Sequence, residues 1–141
     1  MGNNNMLMKL NIGSDVNNLR LIEGKVDELM ITLGINKDEY GRILVATMEA
    51  VNNAIVHGNQ YDNTKNVAIC FEYRERDFIV KVKDQGIGFN PDCVPDPTSP
   101  ENIENLRGRG VFLMKNLADD IGFNDIGNEV IMKFKLEAVD A

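Results

Sequence analysis

The sequence predicts a two-layer α+β sandwich, a mixed and mostly antiparallel sheet with its helices gathered on one face. Five short stretches are β-rich, and four of them fall into two pairs joined by tight turns, which makes hairpins. Three longer stretches repeat apolar residues at helical spacing. The resulting order, β-α-α-β-β-loop-α-β-β, lacks the regular alternation of a doubly wound sheet, so the helices cover one side of the hairpins. The 141 residues fit a single domain over 1–141, ordered from about 6 to 137. A chain of this length buries roughly two-thirds of its unfolded surface, enough for a substantial core.

The first strand is read from Met6, Met8, Leu10 and Ile12, which alternate with Leu7, Lys9 and Asn11. Gly13-Ser14-Asp15 then supplies turn and cap chemistry. Val16, Leu19, Ile22, Val26, Leu29, Met30 and Leu33 follow at helical spacing, and Gly34 is placed to cap that helix. Asn36 with Glu39 three residues later forms a capping-box pattern, so a second helix runs from about Lys37 to His57 and stops at Gly58. Leu44, Met48, Val51 and Ile55 are its apolar stripe, widened by Ile43, Ala50 and Ala54. Glu49, Asn52 and Asn53 share the opposite face.

Residues 59–66 form a polar loop. Residues 67–74 and 78–84 read as a hairpin about Glu75-Arg76-Asp77, and Gln85-Gly86-Ile87-Gly88 follows directly. From there to Gly110 no regular element is legible, only four prolines and small polar residues. Loops this long in a compact domain are usually lids or binding loops. Val111, Met114, Leu117, Ala118 and Ile121 resume a helical stripe, entered through Arg107-Gly108-Arg109-Gly110. A last hairpin is expected to join 122–125 to 129–136, with residues 138–141 expected to fray.

Charge and composition narrow the function. A net charge of −7 argues against a nucleic-acid partner, whose phosphates need a basic surface. A small nucleotide stays open, because a local site can be positive or metal-bearing on an acidic protein. Cys70 and Cys93 have neither a CxxC nor a metal-ligand spacing and read as two free thiols of a reducing cytoplasm. The start of the chain lacks the apolar core of a signal peptide. No apolar run approaches the ~18 residues of a membrane span.

Three motifs carry candidate chemistry, each with two readings. Glu49 and Asn53 form a solvated polar face or, as hard oxygen ligands, hold a magnesium ion. Asp84 with Gly86 and Gly88 is a tight turn, or a carboxylate fixed at a pocket floor that the backbone can approach closely. Gly108 and Gly110 are a backbone bend, or they present N–H groups to phosphate at a helix N-terminus.

In this order and on these elements, the three resemble the N, G1 and G2 boxes of the GHKL ATPase superfamily, the Bergerat or histidine-kinase-like fold. The nearer resemblance is to its anti-sigma-factor serine/threonine kinases. Residues 49–58 (EAVNNAIVHG) look like the N box, 84–89 (DQGIGF) like the G1 box and 108–114 (GRGVFLM) like the G2 box. Residues 96–102 (DPTSPEN) look like a common form of the lid, placed here at 89–109.

The resemblance implies ATP and Mg²⁺ as ligands. Asp84 would accept from the adenine amino group, with Gly86 and Gly88 beside the base and ribose. Asn53 would bridge Mg²⁺ to the phosphates. Gly108 and Gly110 would cradle phosphate, with charge added by Arg107 and Arg109; for Arg107 a solvated loop position is an equal reading. Glu49 would be the general base, acting on an attacking serine hydroxyl.

The same resemblance implies a cytoplasmic homodimer that phosphorylates an antagonist of the anti-sigma factor and sequesters a sigma factor. Arg20 matches an arginine that touches both partners, or is an ordinary surface arginine. A switch kinase acting on a regulatory scaffold, and a nucleotide-gated binding module without kinase activity, are the alternatives. His57 ends the N-box helix, a favourable place for a cation. One departure stands out: the family often has threonine in the final hairpin, where Gly127-Asn128-Glu129-Val130 offers Glu129.

Overall fold

A computed structural model describes residues 4–88 and 106–136. Its elements are β1 (Asn4–Gly13), a 3₁₀ turn (Val16–Asn18), α1 (Leu19–Leu33), α2 (Lys37–Asn53), a π turn (Ala54–Gly58), β2 (Asn66–Arg74), β3 (Asp77–Lys83), α3 (Leu106–Leu117), β4 (Asp120–Phe123) and β5 (Glu129–Lys135). The strands form one sheet in the order β1-β2-β3-β5-β4.

Every neighbouring pair is antiparallel, so the sheet described is not the mixed one expected. The reason lies in the last hairpin. β5, rather than β4, docks beside β3; β4 in that place would have run parallel to it.

The register decides which face is core. Met8, Leu10 and Ile12 stand opposite Phe71, Ile69 and Val67. Val80 and Val82 continue those rows to Met132 and Val130. Phe71, Phe78 and Phe134 are fully buried on this face, each burial contributing about 1.5–3 kcal/mol. The alternate residues, among them Lys9, Cys70, Lys81 and Lys133, lie on the outer face. A register shift between Met6 and Met8 interrupts the first pairing.

The helix ends follow local chemistry. Gly34 adopts φ 67°, and Ile35 N donates to Met30 O at 3.0 Å, closing α1. Asn36 Oδ1 accepts from Glu39 N at 2.9 Å and opens α2.

The expected stripe is buried at Ile43, Ala50, Val51, Ala54 and Ile55, and α2 departs from it at two positions. Ile43, Ala46, Thr47, Ala50, Val51 and Asn53 are buried, while Leu44 and Met48 are only half-buried. The helix packs against α1, α3 and β3 together, so its buried arc is wider and turned relative to a simple amphipathic helix.

Three boundaries also differ. The α-helix stops at Asn53, and the chain continues as a π turn in which Asn59 N donates to Ala54 O at 2.8 Å. Ile121, expected on a helix, is a strand residue paired with Met132. α3 begins at Leu106, so Gly108 and Gly110 lie inside a helix rather than before it. Most of the lid expected at 89–109, with Cys93, lies outside the described residues; 106–109 are helical.

Candidate functional site

Asp84 follows the last residue of β3. Its backbone N–H donates to Asn128 O at 2.9 Å, and its Oδ1 accepts from Gly86 N at 2.7 Å. The residue is 5% exposed. A buried carboxylate needs such hydrogen bonds to offset its lost hydration. They also fix where it points.

The surroundings leave room for that carboxylate and little else. A Cβ on Gly58 would lie 2.7 Å from Asp84 Oδ1 and would strike its Cγ and Oδ2. A Cβ on Gly86 would strike Gly58 O. Gly88 has φ +83°, and a side chain there would run into Ile126 O. The Asp84 turn, the end of the N-box segment and the β4–β5 turn therefore pack backbone to backbone.

Asn53 reaches the same place from α2. It is 7% exposed, and its Nδ2 has no hydrogen-bond partner among the described residues. Leaving a buried amide unpaired costs about 1–3 kcal/mol. The π turn begins at the next residue, a feature common at functional sites. From the other side, a Cβ on Gly110 would sit 2.7 Å from Asn53 Nδ2 and 3.0 Å from Oδ1. Gly110 thus lets α3 close on the amide. Its own N–H lies beyond the first turn of α3, so it acts by lacking a side chain rather than by offering a donor.

The three segments open on one cleft. Asn53, Asp84 and Asn128 are polar members of its lining, and Ala50, Val82 and Val111 are among its apolar walls. Apolar walls with a few directional polar groups suit a flat heteroaromatic ligand.

The remaining expected residues are placed as follows. Glu49 is half-buried, one helical turn before Asn53. Gly108 is buried in the first turn of α3, and Arg109 beside it is exposed. Arg107 lies on the same helix, its side chain outside the description. Arg20 is exposed on α1 and does not line the cleft. His57 is half-buried in the π turn.

Glu129 resolves differently from the sequence expectation. Its Cα pairs with that of Lys83, and its charge acts on Lys81 and Cys70, all on the outer face. Glu129 also borders the cleft, with Gly127, Asn128 and Val130; the buried polar side chain among these four is Asn128, which is 9% exposed. Asn124 holds this turn. Its Oδ1 accepts from Gly127 N, Asn128 N and Glu129 N at 2.8, 2.9 and 3.2 Å. An Asn three residues before a Gly was the available signal.

One feature of this lining fits a bound metal ion. The unpaired, buried Asn53 amide is the kind of group that a ligand satisfies; which of its two atoms faces the cleft is a matter of amide orientation. Among the described residues no group of three His, Cys, Asp or Glu side chains gathers to hold a metal. Magnesium, however, needs only one or two protein oxygens alongside phosphates and water.

Residues 12–134 match the family model for the histidine kinase-like ATPase domain, and the chain belongs to that family. Among its relatives, an anti-sigma F factor of Clostridium acetobutylicum is 33% identical over 110 residues, 73% of this chain and 75% of that protein. The serine-protein kinase RsbW of Oceanobacillus iheyensis is 28% identical over 109 residues, 73% and 69% of the two chains. An anti-sigma F factor of Clostridium novyi is 28% identical over 139 residues, 94% and 96% of the two. The fold resembles the solved RsbU and RsbW domains of a Mycobacterium tuberculosis protein, with a TM-score of 0.65 and 16% identity over 94% of this chain and 34% of that one. No helix among the described residues is long and apolar enough to cross a membrane.

Proposed function

We propose that this protein is an anti-sigma-factor kinase. It binds ATP with Mg²⁺, phosphorylates a serine on an antagonist protein, and holds a sigma factor while the antagonist is absent. The observation that carries this is the convergence of Asn53, Asp84 and Val111, from three distant segments, on one cleft, with Gly110 closing α3 onto the Asn53 amide. Membership of the ATPase family and the names of the relatives support it.

In this reading Asp84 receives the adenine amino group, and Gly86 and Gly88 keep the backbone close to base and ribose. Asn53 holds Mg²⁺, which neutralises phosphate charge. The first turn of α3, with Gly108, faces the phosphates, Gly110 behind it leaves room for the Asn53 amide, and Arg107 and Arg109 add positive charge on the lid side. Glu49 accepts the hydroxyl proton as the serine oxygen takes the γ-phosphoryl group and ADP leaves; such transfers depend mainly on positioning and charge. Arg20, exposed on α1, serves partner docking. The chain works as one cytoplasmic ATPase domain and pairs as a homodimer.

The test is co-purification from the native host, followed by mapping of phosphosites on the captured proteins. A sigma factor, together with an antagonist phosphorylated on serine, is expected. A captured scaffold phosphorylated in place of the antagonist supports the switch-kinase alternative. In a parallel calorimetric titration, Asp84→Asn should bind ATP far more weakly than wild type. Wild-type protein that ignores ATP at millimolar concentration, or an Asp84→Asn variant that binds as well as wild type, ends the reading.

A further inference from the structure

The loop after α2 contains a side chain that the expected boxes leave unexplained. Asn59 is 1% exposed. Its Oδ1 accepts from Gln85 N at 2.7 Å. Its Nδ2 donates to Ser14 Oγ at 2.9 Å and to Asn66 O at 3.0 Å. Both amide protons and the carbonyl oxygen are therefore engaged, each by a different segment. The ring closes twice more. Gln85 Oε1 accepts from Asn66 N at 2.6 Å, and Ser14 Oγ donates to Lys65 O at 2.6 Å.

Gln85 is the residue after Asp84. Its N–H is the middle one of three successive donors that define the turn: Asp84 N to Asn128 O, Gln85 N to Asn59 Oδ1, and Gly86 N to Asp84 Oδ1. The outer two tie the turn to the β4–β5 hairpin and to the carboxylate itself. Only the middle one reaches the chain beyond the N-box helix and the β1–α1 corner at Ser14. Asn59 does not line the cleft, so it touches no ligand there.

We propose that Asn59 is a positioning residue for base recognition: it holds the Gln85 amide and thereby sets the angle at which the Asp84 carboxylate meets the base. The inference rests on the ATP-binding reading above. With Asn59 removed, the Gln85 N–H loses its acceptor and the turn keeps only two of its three backbone donors engaged. The carboxylate stays in the cleft but is held less tightly in direction, so selectivity for adenine falls along with affinity.

The experiment compares ATP and GTP binding by calorimetry for wild type, Asn59→Ala, Asp84→Asn and the double variant, at a temperature where circular dichroism shows each folded. Asn59→Ala is expected to weaken ATP binding about tenfold to about a hundredfold, the usual range for losing a buried hydrogen bond that fixes a functional group. The ATP-to-GTP preference should shrink, and the double variant should bind no more weakly than Asp84→Asn, since residues acting through one contact are not additive. Hydrogen exchange gives a ligand-free readout: the Gln85 amide should lose protection in Asn59→Ala.

Asn59→Asp keeps an oxygen for Gln85 N–H and is expected to restore the preference in part; it also serves if the alanine variant does not fold. Unchanged selectivity in both variants, or full additivity with Asp84→Asn, overturns the inference while leaving the ATP site standing. An Asp84→Asn variant that binds ATP normally removes the site and the inference together.

Discussion

The Asp84 carboxylate occupies the space that a side chain on Gly58 would take: a Cβ there would lie 2.7 Å from Oδ1 and would strike Cγ and Oδ2. Gly58 does not have a positive φ, so its requirement is room rather than backbone conformation. Gly58→Ala should therefore destabilise the fold by about 1–3 kcal/mol, as overpacking does. It should also weaken ATP binding by moving the carboxylate. Urea denaturation and calorimetry on the same sample check both effects. A stable variant with normal affinity would show that the Asp84 turn yields at little cost.

Gly110→Ala separates stability from binding. Alanine favours an exposed helix interior over glycine by about 1 kcal/mol. At Gly110 that gain is opposed by a Cβ 2.7 Å from Asn53 Nδ2. The net change in thermal stability is expected to be small. Mg-ATP affinity should fall by about tenfold or more, because the added methyl displaces the amide proposed to hold the metal. Titration with and without Mg²⁺ reads this: the deficit should be larger with the metal present.

Glu49→Ala tests the proposed base. Glu49 lies one turn from Asn53 and is half-buried, so truncating it leaves the core intact. Mg-ATP binding should be retained, while transfer of labelled γ-phosphate to the antagonist falls by about 10²-fold to 10⁴-fold, the usual range for general-base removal. Transfer at the wild-type rate would assign the base elsewhere.

Alkaline pH probes the outer face of the sheet. Lys81 Nζ lies 2.8 Å from Glu72 Oε2, and Glu72 is almost buried. The hydrogen bond that Lys81 donates to the Glu72 carboxylate raises the Lys81 pKa above its ordinary 10.5. Its stabilisation is therefore complete below about 10.5 and is lost as pH rises through the higher folded value. Burial raises the Cys70 thiol above 9.0 in the same region, and its ionisation also favours unfolding. In a Cys70→Ala background, denaturant midpoints above pH 10.5 should fall more steeply with Glu72 present than in Glu72→Gln. The half-exposed Lys81 keeps that difference modest. Parallel curves for the two variants would deny the pair any linkage to folding.

Elements with strong local signals were legible in the sequence. The Asn36 cap, the Gly34 stop and the hairpin about residues 75–77 stand where spacing and turn chemistry put them. The three box motifs were legible as motifs, because each needs particular residue types at fixed spacing. Asn59 and Asn128 were not. An asparagine in a polar loop looks solvated until the fold brings Ser14, Asn66 and Gln85 around it. The face toward which Glu129 points depends on strand register, which a turn of uncertain length leaves open.

By itself, the sequence determined the α+β class, the order of elements and the candidate residues Glu49, Asn53, Asp84, Gly86, Gly88, Gly108 and Gly110, since periodicity and caps act over a few residues along the chain. Tertiary structure alone decided that β5 rather than β4 docks on β3, that α2 ends in a π turn at Asn53, and that Gly58 and Gly110 press on Asp84 and Asn53. Those outcomes arise from close packing between segments far apart in the chain, where a single Cβ decides whether two backbones can meet.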